Sequence, residues 1–285
     1  MRIVRELLAR ALVAALGMPV LLLCAYWGGW LLLVLVALLT VVALGEYYSA
    51  MLRTKIHPPV LLGYLAALAL LAVAAYLPPA QRDLWTPAIL MATVAGALLS
   101  QFGARSYQGT AVNAAVGVFG VVYVGLLMSF ILRLGSLDLP AALGYPSGPL
   151  AGHIGALLLV VLPVWTLDTF AFVVGSAWGR HPLCSQLSPR KTMEGAAAGL
   201  VGCTAFTALL GWWLHLPLVY SVPLGVLLGV MSQLGDAAKS TIKRDLGIKD
   251  FGNFFGPHGG ILDRFDGLLF AMPVAWFYLT FVLAA

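Results

Sequence analysis

Three aspartates, Asp236, Asp263 and Asp266, fall in the stretch from Ser232 to Gly267, together with Lys239, Lys243, Arg244, Asp245, Lys249, Asp250 and Arg264. That stretch holds ten of the 27 Asp, Glu, Lys and Arg residues of a 285-residue chain that is only 9% charged. Asp236, Ser240 and Lys243 are four and three apart, so on a helix they share one face, with Lys239 beside them. Asp263 and Asp266, three apart, share a face for the same reason. Carboxylates gathered at an apolar boundary repel one another and lose hydration. A divalent cation relieves both costs, and a few hard oxygen ligands completed by water and phosphate suit magnesium. Lys239, Lys243, Arg244 and Arg264 could neutralise a polyphosphate, arginine with a two-pronged hydrogen bond. The glycine-rich turn around Gly256, Pro257, His258, Gly259 and Gly260 would let backbone amides approach phosphate oxygens. Metal, cations and open backbone together suit phosphoryl or nucleotidyl transfer, where positioning and charge stabilisation dominate. The plainer alternative is a solvated loop whose charges only orient the chain. It covers Asp245, Lys249 and Asp250 as well as function does, but not Asp236, Asp263 and Asp266, since orientation needs no acids.

The elements that must position these residues are apolar. At 61% hydrophobic residues, in runs of about 20 separated by short polar gaps, the chain reads as an all-α, polytopic integral membrane protein. Alternation in ten-residue units, the mark of a membrane β-barrel, is missing. Nine spans fit, near 8–26, 29–50, 58–77, 85–100, 111–134, 152–178, 195–214, 217–245 and 261–283, with Gly28 and Gly29 parting the first two. The eighth is expected to run as one helix past the membrane edge. The basic-then-apolar start reads as a retained first helix, because no small-residue cleavage site follows it. With the N-terminus in the cytoplasm, fourteen Lys and Arg residues fall on the cytoplasmic side and two, Arg82 and Arg133, outside. The division expected is an N-terminal membrane scaffold and lipid entrance, 1–135, and a catalytic membrane region, 150–285, with no separate soluble domain. A net charge of +5 in such a chain serves orientation and lipid headgroups, not nucleic acid. Cys24, Cys184 and Cys203 have neither disulfide nor zinc spacing.

Other residues stand out singly. Asp168 interrupts an apolar run, which makes it a candidate for lining the site or supporting a ligand; the alternative is a structural partner for a basic residue. Ser188-Pro-Arg-Lys191-Thr192 ends in Lys-Thr but lacks the glycines of a nucleotide-binding loop. Ser188 and Pro189 instead suit a helix start, cap followed by first residue, while Lys191 and Thr192 remain in reach of phosphate. Glu46 reads as an interfacial anchor or ion-pair partner. Gly195-x-x-x-Gly199 and Gly225-x-x-x-Gly229 read as close helix packing. His57, His153 and His215 carry no metal-ligand spacing.

From Ser240-x-Ile-Lys243-Arg244 through Lys249-Asp250 to His258-Gly259-Gly260-x-x-Asp263-Arg264-Phe265-Asp266, the sequence resembles the signature of the phosphatidate cytidylyltransferases, or CDP-diacylglycerol synthases. Asp168 to Gly175, Gly179, His181 and Ser188-Pro-Arg-Lys191-Thr192-Met-Glu194-Gly195 resemble the family too. They depart at Phe170, where a small residue is usual, and at Met193, where tryptophan is common. The resemblance implies that CTP and phosphatidate give CDP-diacylglycerol and pyrophosphate, at the cytoplasmic face of the inner (plasma) membrane. It implies magnesium on Asp236, Asp263 and Asp266, a second, monovalent cation such as potassium, and a homodimer. Lys243, Arg244 and Arg264 would hold phosphates. Lys239, Ser240, Lys249, Asp250, His258, Gly259, Gly260, Asp168, Ser188, Lys191 and Thr192 would line the substrate site. Two other readings stay open: a CTP-dependent lipid kinase, which would move the terminal phosphate, and a transporter for a phosphorylated metabolite. Against the transporter, the polar weight lies in one half of the chain.

Overall fold

The computed structural model describes residues 19–102, 107–144, 151–254 and 259–284. Among them, six helices are long and apolar enough to cross a membrane: Gly29–Arg53, Thr110–Gly135, Ile154–Trp178, Met193–Trp213, Leu218–Asp245 and Leu262–Leu283. Val60–Tyr76 is apolar but shorter. The chain is a helical, multi-pass membrane protein. Of the expected first span, residues 19–26 are helical and the part before residue 19 lies outside the described residues.

The chain forms two compact units, one of Met1–Leu132 with Asp250–Arg264, the other of Arg133–Lys249 with Phe265–Ala285. In the first, Gly28 and Gly29 both take positive φ, 59° and 55°, a conformation costly for any residue with a Cβ, and the helix Gly29–Arg53 begins there. The next long helix, Pro79–Leu99, starts six residues before the position expected from hydropathy. Gln81, Arg82 and Asp83 hide its first turn from an apolar scan, yet Pro79 is pre-set for a first-turn position and the Arg82 Nε donates to the Leu77 carbonyl. Thr110–Gly135 contains a π-helical turn, Val121–Leu126. Tyr47 and Tyr48 tie Gly29–Arg53 to it, donating to the Val116 and Gly117 carbonyls at 3.3 and 3.0 Å. Leu44, Tyr47, Tyr48, Leu70, Leu71 and Phe251 are fully buried in this unit.

The second unit is built on Ala151–Trp178, Met193–Trp213 and Leu218–Asp245. The small-residue pairs act as expected. A Cβ on Gly199 would lie 2.9 Å from the Leu167 carbonyl oxygen, and one on Gly225 2.7 Å from the Thr204 Cα, so these helices meet backbone to backbone. Phe170 has its own accommodation: its ring lies over Gly202, where a Cβ would come within 2.8 Å.

One expectation fails here. Ser188 and Pro189 do not begin a helix. Ser188–Thr192 is a β-strand, antiparallel to Pro182–Cys184, a short hairpin in an otherwise helical fold among the described residues. Strand pairing holds the backbone extended through Thr192, and Met193 N bonds the His181 carbonyl at 2.9 Å. Thr192 then caps Met193–Trp213, its Oγ1 accepting from Gly195 N at 3.2 Å. The cap signal was present in the sequence, four residues later than the Ser-Pro pair that imitates it.

Candidate functional site

In the second unit, Leu218–Asp245 and the last helix, Leu262–Ala284, cross where each has a glycine beside an aspartate. A Cβ on Gly235 would sit 2.6 Å from the Asp266 carbonyl oxygen, and one on Gly267 would strike the Ser232 hydroxyl. This close approach brings the neighbouring Asp236 and Asp266 carboxylates to one place. The ammonium of Lys239 joins them: it pairs with Asp266 Oδ2 and lies 3.6 Å from Asp236 Oδ1. Its side chain is only 5% exposed. Asp236 Oδ2 also takes the ammonium of Lys191, from the hairpin strand, and Asp266 Oδ1 accepts from Gly267 N at 2.7 Å. Asp168 is exposed and within electrostatic reach of Asp236, Asp266, Lys191 and Lys239. The cluster thus joins two carboxylates and two ammonium groups drawn from two long helices and the hairpin.

The hairpin is held on both sides. Glu194, in the first turn of Met193–Trp213, accepts from Arg180 N and His181 N at 3.2 and 3.3 Å and meets His181 Nδ1 at 2.6 Å. Arg244 donates from Nε and a terminal nitrogen to the Leu187 carbonyl at 3.3 and 3.1 Å. Ser240 is buried, Lys243 and Ser188 are half-buried, and Lys249 is exposed.

In the first unit, Asp263 Oδ2 accepts from Phe251 N at 3.0 Å and Gly260 N at 3.3 Å. Gly259, at φ 83°, makes the turn; a Cβ there would lie 3.2 Å from Asp263 Oδ2 and 3.5 Å from Asp250 Oδ1. Arg264 and Asp250 are exposed. His258, expected to line the substrate site, lies outside the described residues. The anchor is Glu46, which the sequence presents as an interfacial residue or ion-pair partner. It is neither. Its two carboxylate oxygens accept from Ile261 N at 3.1 Å and Leu262 N at 2.9 Å, across more than 200 residues of chain. Only its acidity inside an apolar run signalled a function, and nothing local could reveal partners so distant.

The chemistry of the donor set bears on a metal. Asp236 and Asp266 offer carboxylate oxygens at one place, the hard ligands that magnesium takes together with water and substrate phosphates. Among the described residues no three His, Cys, Asp or Glu side chains are gathered into a complete metal cage. The donor chemistry of Asp236 and Asp266 fits such an ion.

The cytidylyltransferase family model matches residues 8–282. The chain is 29% identical over 274 residues to phosphatidate cytidylyltransferase of Synechocystis sp., covering 90% of each protein. It is 30% identical over 277 residues to phosphatidate cytidylyltransferase of Staphylococcus haemolyticus, covering 93% of this chain and 96% of that one. Over 197 residues it is 39% identical to phosphatidate cytidylyltransferase 5, chloroplastic, of Arabidopsis thaliana; that match takes in 64% of this chain and spans about half, 48%, of the relative's length.

Proposed function

This chain belongs to the cytidylyltransferase family, and we propose that it acts as a phosphatidate cytidylyltransferase: it transfers CMP from CTP to phosphatidate, giving CDP-diacylglycerol and pyrophosphate. The observation that carries the reading is the convergence of Asp236 and Asp266 on Lys239, with Lys191 alongside, in a helical membrane protein. A phosphatidate oxygen attacks the α-phosphorus of CTP in line. That oxygen belongs to a phosphate monoester, already anionic near neutral pH, so no general base is required. Asp236 and Asp266 would hold magnesium, whose charge offsets that of the transferring group and the departing pyrophosphate; the sequence assigns Asp263 to the same ion. Lys191 and Lys239 keep the carboxylates neutralised before substrate arrives and can turn to phosphate oxygens afterwards. Lys243, Arg244 and Arg264 are assigned to phosphate binding. Potassium as a second cation and a homodimer belong to the same reading.

The topology proposed has nine spans with the N-terminus and the site on the cytoplasmic side of the inner membrane, where CTP is. Its support is the fourteen-to-two division of Lys and Arg.

The test uses purified protein in detergent with phosphatidate, magnesium and CTP labelled separately at the α- and γ-phosphates. The expected outcome is α-label in lipid and γ-label in pyrophosphate, abolished by a chelator and restored by magnesium. Label from the γ-position in lipid would make the protein a kinase. Transfer of neither label by folded protein would point to transport.

A further inference from the structure

Glu46 is an acidic residue in an apolar helix, 9% exposed, whose carboxylate oxygens accept from backbone amides. Its charge is spent on two backbone amides, at the start of the helix Leu262–Ala284. The first amides of a helix have no partner within it, and they form the positive end of its dipole, so a buried carboxylate there is well matched. The fit leaves no spare room. A Cβ on either Gly252 or Gly260 would run into the Glu46 carboxyl group, so the loop closes on Glu46 from both sides. Phe251, buried and 6.4 Å from the Tyr47 ring centroid, pins the other end of that loop beside the same helix. Directly after the two amides comes Asp263, whose own Oδ2 is held by Phe251 N and Gly260 N. Two carboxylates thus fix one short run of backbone: Glu46 from the helix Gly29–Arg53, and Asp263 from within.

We infer that Glu46 is a positioning residue for the transfer reaction: by holding the Ile261 and Leu262 amides and filling the space left by Gly252 and Gly260, it sets the backbone that presents Asp263. The inference rests on the reaction proposed above and adds a residue to it from the opposite end of the sequence. Glu46 touches no reacting atom. It acts through Asp263, so its loss lowers turnover more than substrate binding.

The experiment is Glu46→Gln in the full-length protein, a nearly isosteric change that turns one acceptor oxygen into a donor facing an amide. Two quantities are read: amide exchange of the 259–264 segment, and kcat and KM for CTP in the α-label assay. The expected result is faster exchange at Ile261 and Leu262, kcat lower by about tenfold or more, and KM for CTP within about twofold of wild type. Glu46→Asp, which still reaches one amide, falls between. Gly252→Ala presses on the same carboxyl group from the loop and reproduces the effect if Glu46→Gln does not fold. Unchanged exchange in both variants overturns the clamp, and faster exchange with unchanged kcat overturns the positioning role. Wild-type protein that transfers no CMP overturns the reaction, and the role with it, while the exchange data still report whether the clamp exists.

Discussion

Two acidic residues in each unit are held by different kinds of partner. Asp236 and Asp266 are paired with side-chain ammonium groups, those of the half-exposed Lys191 and the buried Lys239. Glu46 and Asp263 are balanced by backbone amides of the turn and helix they hold. The distinction is physical. An ammonium group can swing away and give its place to a metal or leave with a phosphate, so a lysine-balanced carboxylate can exchange partners during a reaction cycle. A backbone amide can leave only if the chain refolds. The first arrangement lets carboxylates change partners; the second fixes where Glu46 and Asp263 stand.

That contrast can be broken by experiment. The largest effect is expected from Asp266→Asn or Asp236→Asn, either of which should lower CMP transfer by about a thousandfold or more in the α-label assay; near-normal rates would remove this cluster from the chemistry. Next is Lys239→Met, which leaves two crowded carboxylates without their shared ammonium and should cost about 3–5 kcal/mol of stability. Thermal unfolding in detergent measures it, and added magnesium should restore part of the loss because these carboxylates accept another cation. Gly260→Ala, which displaces Glu46, should lower kcat by about tenfold, and magnesium should not rescue it. If magnesium rescues both variants equally, the two arrangements do not differ as argued. The smallest effects concern the hairpin. Lys191→Ala, at a side chain 47% exposed, should change stability by less than about 1 kcal/mol. Thr192→Ala, which removes a helix cap, should cost about 1 kcal/mol.

What could be read from the sequence follows the range of the interactions. The helix Leu218–Asp245 and the glycine contacts at Gly199 and Gly225 were legible because apolar runs and four-residue spacings are local patterns. The face carrying Asp236 and Ser240 was legible for the same reason. That Lys239 would turn inward to Asp266 was not, since spacing places a side chain on a face but does not choose its partner. Ser188-Pro189 misled because strand pairing with Pro182–Cys184 overrides a cap signal that is only local. Glu46 shows the limit most plainly, because its role depends on the fold bringing residue 46 to residues 261 and 262.

The helix Leu218–Asp245 has 28 residues, or about 42 Å of length, against about 30 Å of hydrocarbon in a typical bilayer. Counted from Leu218, the apolar layer is used up after about 20 residues, within a turn of Asp236 and Lys239. On the topology proposed above the helix would act as a depth gauge, its length setting the level of the carboxylates relative to lipid phosphates. Bilayer thickness would then control turnover. In vesicles of graded acyl length, turnover should peak where the headgroup layer lies level with Asp236, and fall on either side as thinner or thicker membranes lift or sink the phosphate relative to it.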